Sequence, residues 1–252
     1  MHHPYVVITP DYMVYTADFS KLIEQHIQSE ADITLLYHAV DNAKDAYLNC
    51  NILNLNKQKG VLSLEPNHGN AKNRNIFMDT YVMRKDLFME LVKKGRKISS
   101  MFTLNDIVNM ACSELDVRGV SHRGFFASIT DFKSYYNANL SLIDMKNAVT
   151  LFYTRTNDSC PTKYYEGASV KSSVISNGCL IEGTVENSVI GRGCVIKKGA
   201  VVKDSVILPG VVIGEDARIE AQVVDKSARI DHAKELIANP EKPGYVRRND
   251  TL

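Results

Sequence analysis

Few residues in this chain stand at spacings that announce chemistry. Its five cysteines, Cys50, Cys112, Cys160, Cys179 and Cys194, are odd in number and far apart. No two form the CxxC pair that zinc binding or dithiol redox work uses, so reduced and mostly packed thiols are expected. The carboxylates worth following are Asp11, Glu65, Asp79 and Asp131; loop turns, strand ends and helix caps are their plainer uses. Lys197, Lys198 and Lys203, with Arg247 and Arg248 in the tail, can attract an anionic sugar phosphate, although a solvated basic face is the expectation. No GxGxxG or GxxxxGK stretch offers a backbone cradle for phosphates.

Composition narrows the setting. The 252 residues suffice for one large domain or two ordinary ones, and 44% of them are apolar. Thirty basic side chains against 29 acidic ones leave a formal charge of +1, which gives no general attraction for nucleic acid or anionic membrane. No apolar run approaches the roughly 20 residues of a membrane span, and Met1-His2-His3-Pro4 lacks a signal peptide's order. A cytoplasmic protein is expected, with neither nucleic acid nor membrane as partner.

The first part reads as α/β. Tyr5-Val6-Val7-Ile8 is a short buried-strand pattern, Asp18 can cap a helix that aligns Leu22, Ile23, His26 and Ile27, and Ile33, Leu35, Tyr37 and Ala39 alternate as a strand. Strand, helix, strand suggests a parallel or mixed sheet. Further strands are expected at 47–53 and 76–83, and a helix near Asp86 carries Leu87, Phe88, Leu91 and Val92 inward. Thr103 and Asp106 form a box-like start for a helix with Leu104, Ile107, Val108 and Ala111 on one face. A last helix from Thr130 aligns Phe132, Tyr136, Leu140 and Ile143 as a packing stripe. The phosphate turn that normally opens such a domain is missing; either the chain is a fragment or truncation, which is the favoured expectation, or the domain never had that turn.

Near Ala168 the period changes. Ile190, Ile196 and Val202 recur at six-residue steps with Cys194 and Ala200 at small positions; Ile213 and Ile219, then Val224 and Ile230, continue the pattern with Ala217 and Ala228. Ser173-Val174-Ile175, Ser188-Val189-Ile190 and Ser205-Val206-Ile207 return at intervals of 15 and 17 residues. Flat strand and tight corner, three times per coil, is a parallel β-helix of hexapeptide repeats. On this reading Cys179 and Cys194 are packing residues, and the flat sides suit oligomerisation. The organisation expected is a partial α/β domain over 1–150, a linker over 151–167, the β-helix with a C-terminal helix over 168–238, and a tail over 239–252.

An α/β region before hexapeptide coils suggests either sugar-nucleotide pyrophosphorylases or hexapeptide acyltransferases. The latter commonly use a coil histidine as general base, and there is none from Ala168 to Ile230. The stretch from Val14 to Lys21, VYTADFSK, resembles the IYKMDYSK segment of glucose-1-phosphate adenylyltransferases, and Tyr135-Tyr136-Asn137-Ala138-Asn139-Leu140 resembles that family's YYxANxxL helix. The resemblance runs through almost the whole chain. It implies a partial nucleotide-sugar transferase (Rossmann-like) domain followed by a left-handed parallel β-helix.

Departures from the family pattern matter more than the matches. Aligning the motifs puts Tyr12 and Ser128 where the resemblance expects two aspartates that hold Mg²⁺ for nucleotidyl transfer. Asp11 and Asp131 replace them only after a shift in register. The Glu-Lys-Pro grip on the sugar phosphate becomes Glu65-Pro66, without the lysine, and Asp79 stands where Ser-x-Gly-Ile-Tyr has glycine, two residues before Tyr81. Glu65, Asp79 and Tyr81 are the remaining candidates for substrate contact, with no catalytic or metal residue expected and no cofactor bound by this chain. A D-type (GlgD-type) subunit is therefore implied, a non-catalytic or regulatory partner of a catalytic adenylyltransferase subunit in glycogen biosynthesis. It would work in a hetero-oligomer and self-associate through its β-helix. A truncated active pyrophosphorylase and a stand-alone assembly or binding module are the alternatives.

Overall fold

The structure is a computed structural model describing residues 4–144 and 160–252. The chain divides into two compact units, Met1–Thr130 and Asp131–Leu252.

The first unit opens with β1 (Tyr5–Ile8), β2 (Met13–Tyr15), α1 (Phe19–Ser29) and β3 (Ile33–Val40). The Asp18 side chain accepts the Lys21 N–H as N-cap of α1, which relieves an orphan donor of the first turn. Leu22 and His26 are buried under it, whereas Ile27, expected on the same face, is exposed. A hairpin of β4 (Asn51–Leu55) and β5 (Val61–Pro66) leads to β6 (Arg74–Arg84), then α2 (Lys85–Ile98), α3 (Leu104–Ala111), β7 (Val117–His122) and β8 (Phe126–Ser128). The strand expected from residue 47 begins only at Asn51. Tyr47 has φ 59°, and the buried Asn67 amide donates to the carbonyls of Ala43, Ala46 and Tyr47, which holds that segment as a loop.

The sheet is mixed. Its order is β5-β4-β6-β3-β7, with β1 also paired to β6. β3 and β7 are parallel, while β1 and β3 each run antiparallel to β6. The expected parallel relation of the first two long strands therefore holds with β6 inserted between them. One face packs on α2 and α3 through Leu35, Phe77, Met83, Leu91, Ile107 and Val108. The other packs Leu22, Leu36, Met78 and Val82 with Met13 and Cys50. The Thr103/Asp106 capping box is present at α3 as the sequence predicts.

The second unit is a parallel β-helix with three five-stranded sheets. Its coils run from Lys163–Tyr164 to Gly244–Val246. Residues in successive coils stack in register: Ile181, Ile196, Ile213 and Ile230 form one inward column, and Ile190, Ile207, Val224 and Val246 another. These isoleucines are completely buried, each contributing about 1.5–3 kcal/mol of hydrophobic stabilisation. Cys179 and Cys194 are completely buried too, and their thiols donate to carbonyls of the coils, Cys179 to Gly191 and Cys194 to Leu208. Packing is their role here.

The recurring serine has a structural reason. Ser188 Oγ donates to the Glu186 carbonyl at 2.7 Å and accepts the Ser205 N–H of the next coil at 3.0 Å. Ser173 and Ser205 make the same pair of bonds in their coils. The residue before each serine, Ser172, Asn187 or Asp204, turns the corner with φ between 43° and 45°, and the serine satisfies the backbone that this corner leaves open.

Three expectations about this unit are corrected. The region 231–238 is not a helix: Glu235–Ile237 is a strand, with Leu236 packed on the core above Ile219. The stretch over 239–252, expected as a tail beyond the β-helix, continues the coil, because the open edge of the last rung needs hydrogen-bond partners. Gly244–Val246 pairs in parallel with Gln222–Val224, and Arg229 N–H donates to the Asp250 carbonyl at 2.7 Å. The third concerns the boundary expected at 150: the two compact units divide at 130. Helix α4 (Phe132–Ser141) groups with the β-helix. Tyr136 is buried against Val206 and Val223, and its phenol donates to the Asp204 carbonyl at 2.6 Å. The linker expected over 151–167 falls largely outside the described residues, and its end is already the first strand of the coils. Among the described residues no helix is long and apolar enough to cross a membrane.

Candidate functional site

The short ladder of β2 and β8 places the two substituted positions together. Met13 pairs with Ser128, and the Ile129 N–H donates to the Tyr12 carbonyl at 2.7 Å. Tyr12 and Ser128, 116 positions apart in the chain, thus end adjacent antiparallel strands. Their side chains are already engaged.

The Tyr12 phenol donates to Asp79 Oδ2. Asp79 reaches it from a bulge in the middle of β6, not from a strand end as expected. Leu36 pairs with Thr80 and Tyr37 with Phe77, which leaves Met78 and Asp79 without partners on β3. Asp79 takes φ 42° there, a left-handed conformation costly for a residue with a side chain. The second carboxylate oxygen, Oδ1, accepts from Asn105 Nδ2 at 3.2 Å, and Asn105 Oδ1 accepts the Tyr81 phenol at 2.9 Å. Asn105 lies in the first turn of α3, fixed by the capping box. Tyr12, Asp79, Asn105 and Tyr81 form one continuous chain.

Burial raises the Asp79 pKa above the ordinary carboxylate value, and the Asn105 bond partly opposes it. Tyr81 is raised by burial first and then by the charges of Asp79 and Asp106. Its phenol remains protonated and acts as a donor. Ser128 is buried and its hydroxyl meets Cys50 Sγ at 3.2 Å. Burial pushes the Cys50 thiol up, against a smaller opposing effect of Ser128.

Beside β2 and β8 lies a pair that sequence reasoning missed. His38, near the end of β3, pairs in register with His122, the last residue of the parallel strand β7, with Nδ1 to Nδ1 at 3.1 Å. Tyr15 and Phe126 pack edge-on and tilted against their rings. The His122 Nε2 contacts the Thr16 carbonyl at 2.5 Å, so Nε2 carries the proton and Nδ1 accepts from His38. Burial lowers both pKa values, and the His122 charge lowers His38 further. No spacing in the sequence announces this pair, and only strand register brings it together.

The other candidates lie outside this constellation. Glu65 sits exposed on β5 and accepts the Ser63 hydroxyl at 2.7 Å; that bond first, then Asn54, holds its pKa below the usual value. Asp131 is the N-cap of α4, accepting the Ser134 N–H at 2.7 Å, and Asp11 is exposed. Among the described residues no three His, Cys, Asp or Glu side chains converge as a metal cluster. The structure joins Tyr12, Asp79 and Tyr81 and leaves Glu65 apart.

Comparison with known proteins agrees with this architecture. The family described as GlmU-like, C-terminal hexapeptide matches residues 161–244. Glucose-1-phosphate adenylyltransferases of Bacillus mycoides (strain KBAB4), Bacillus thuringiensis (strain Al Hakam) and Bacillus anthracis are each 26% identical to this chain over 249 residues. The aligned region covers 94% of the chain and 65% of each relative, so the chain spans about two thirds of their length. Over nearly all of its length, through the mixed sheet and into the coils, this chain is similar to glucose-1-phosphate adenylyltransferases.

Proposed function

We propose that the chain is a non-catalytic, D-type subunit that assembles with a catalytic glucose-1-phosphate adenylyltransferase and modulates its conversion of ATP and glucose 1-phosphate to ADP-glucose and diphosphate. The observation that carries this reading is the engagement of Asp79 by Tyr12 beside the ladder that also holds Ser128. Mg²⁺ takes hard, preferably anionic oxygen ligands in near-octahedral order. Here the two positions offer a phenol and a buried alcohol, and both oxygens of the carboxylate bonded to Tyr12 already accept hydrogen bonds. That donor set does not fit Mg²⁺, and no nucleotidyl-transfer step is assigned to these residues.

Self-association through the β-helix belongs to the same proposal. It is supported by an outward row of Leu180, Val195 and Val212 along one sheet, all half-buried within the single chain. A cytoplasmic setting in glycogen biosynthesis follows from the same reading. The test is an ADP-glucose synthesis assay with Mg²⁺, on the natural protein alone and mixed with a catalytic adenylyltransferase subunit. The proposal expects no turnover alone and altered saturation or effector kinetics in the mixture. Turnover alone at ordinary enzyme rates would favour the truncated pyrophosphorylase reading instead.

A further inference from the structure

A cavity of about 320 Å³ opens between α2 and α3 in the first unit. That volume lies at the small end of ligand pockets, which run from roughly 300 to 1,000 Å³. Its walls are hydrocarbon: Phe88 and Val92 one turn apart on α2, Leu104 and Ile107 on α3, Phe102 before α3, and Ile8 at the end of β1. Gly95 sets how closely the two helices approach, since a Cβ there would lie 2.2 Å from Ile107 Cδ1.

Polar groups gather on one side only. Arg96, Ser99 and Ser100 complete the lining. Arg96 is exposed and makes no ion pair or hydrogen bond among the described residues. Lys93 and Lys97 on the same helical turns are equally uncommitted, while Lys94 is taken by Glu114 at 3.0 Å. Ser99 Oγ accepts the Met101 N–H at 3.1 Å, which leaves its own O–H proton to donate. Complementing the helix dipole accounts for cations in the last turn of α2. It does not account for an apolar cavity beside them.

We infer that this cavity binds a small amphiphilic anion, a medium-chain alkyl carboxylate, with its chain among the six apolar side chains and its head group on Arg96, Ser99 and Ser100. The charge is complementary: the cavity's one ionised lining group is a guanidinium, whose planar fork matches a carboxylate. A sugar phosphate fits poorly, because its hydroxyls would face walls that carry no donors or acceptors. The cavity shares α3 with the Tyr12 and Asp79 chain, but none of its lining side chains belongs to that chain, so octanoate binding and the function proposed above are tested by separate measurements.

The test is titration of the native protein with sodium octanoate below its micellar concentration, followed by the methyl NMR signals of Ile8, Val92, Leu104 and Ile107. Saturable shifts confined to these methyls are expected. Each methylene removed weakens binding about fourfold, so hexanoate binds roughly 16-fold more weakly than octanoate. Arg96→Glu, an exposed substitution that leaves the fold intact, weakens octanoate at least tenfold and leaves 1-octanol unchanged. Absence of saturable shifts at these methyls overturns the inference, as does an Arg96→Glu variant that binds octanoate as well as the parent.

Discussion

Replacing Tyr12 by phenylalanine removes one hydroxyl and leaves Asp79 with Asn105 as its remaining side-chain partner. Asp79 is substantially buried and its pKa is already raised by that burial. A hydrogen bond to a charged group contributes about 1.5–3 kcal/mol, so Tyr12→Phe should lower unfolding free energy by about that amount at pH 7.5. The sign with pH follows from linkage. A carboxyl whose folded pKa lies above its unfolded value, near 3.9, contributes stability that is complete below the unfolded pKa and is lost as pH rises through the folded one. Removing the phenol raises the folded pKa further, so the variant's deficit grows with pH and narrows as pH falls toward the unfolded value. Urea unfolding of parent and variant at pH 7.5 and 4.5 measures it. A deficit equal at both pH values would show that the phenol packs without stabilising the carboxylate, and would refute this account of the pair.

Other consequences are equally direct. Stability should fall between pH 7 and pH 5, because half-buried His38 and buried His122 have depressed pKa values; their contribution is present above the unfolded value near 6.5 and is lost as pH drops through the folded values. The urea midpoint of His38→Asn should depend less on pH over that interval than the parent's. Ile196→Ala, at a completely buried position of the inward column, should cost about 2–5 kcal/mol in thermal or chemical unfolding of the β-helix. Ser188→Ala strips the Ser205 N–H of its acceptor and should cost about 1–3 kcal/mol. Lys203 stacks in register between Glu186 and Glu220, so Lys203→Glu should destabilise by about 0.2–1 kcal/mol per neighbour, an effect that shrinks in high salt.

Legibility in the sequence followed how local each determinant is. The Thr103/Asp106 box and the Asp18 cap depend on three-residue spacings, and both are where the pattern puts them. The coils repeat one solution several times, so Ile190, Ile196 and Val202 declare their inward positions through periodicity alone. The end of the repeat was harder to read. Residues 231–238 lose the six-residue period while retaining helix-forming types, yet the open backbone of the last rung recruits them as strand. Likewise α4 follows the α/β segment in sequence, but Tyr136 finds its apolar surface on Val206 and Val223, some 70 and 87 positions later.

The candidate site was half visible. Motif alignment singled out Tyr12 and Ser128, and the β2 and β8 ladder brings them side by side. Their actual partners, Asp79 and Cys50, lie 67 and 78 positions away. The contact of Asn105 with Asp79 depends on a bulge opposite Leu36 that no pattern marks, and the His38 and His122 contact depends on the register of two strands.

The central claim is that neutral, already bonded side chains occupy the positions where a divalent ion would be held. Titrating Mn²⁺ into the protein with a non-hydrolysable ATP analogue, followed by the paramagnetic signal of free Mn²⁺, tests it most directly. The account predicts no saturable binding beyond that of the analogue alone. A stoichiometric, nucleotide-dependent Mn²⁺ site that disappears in Asp79→Asn would contradict it.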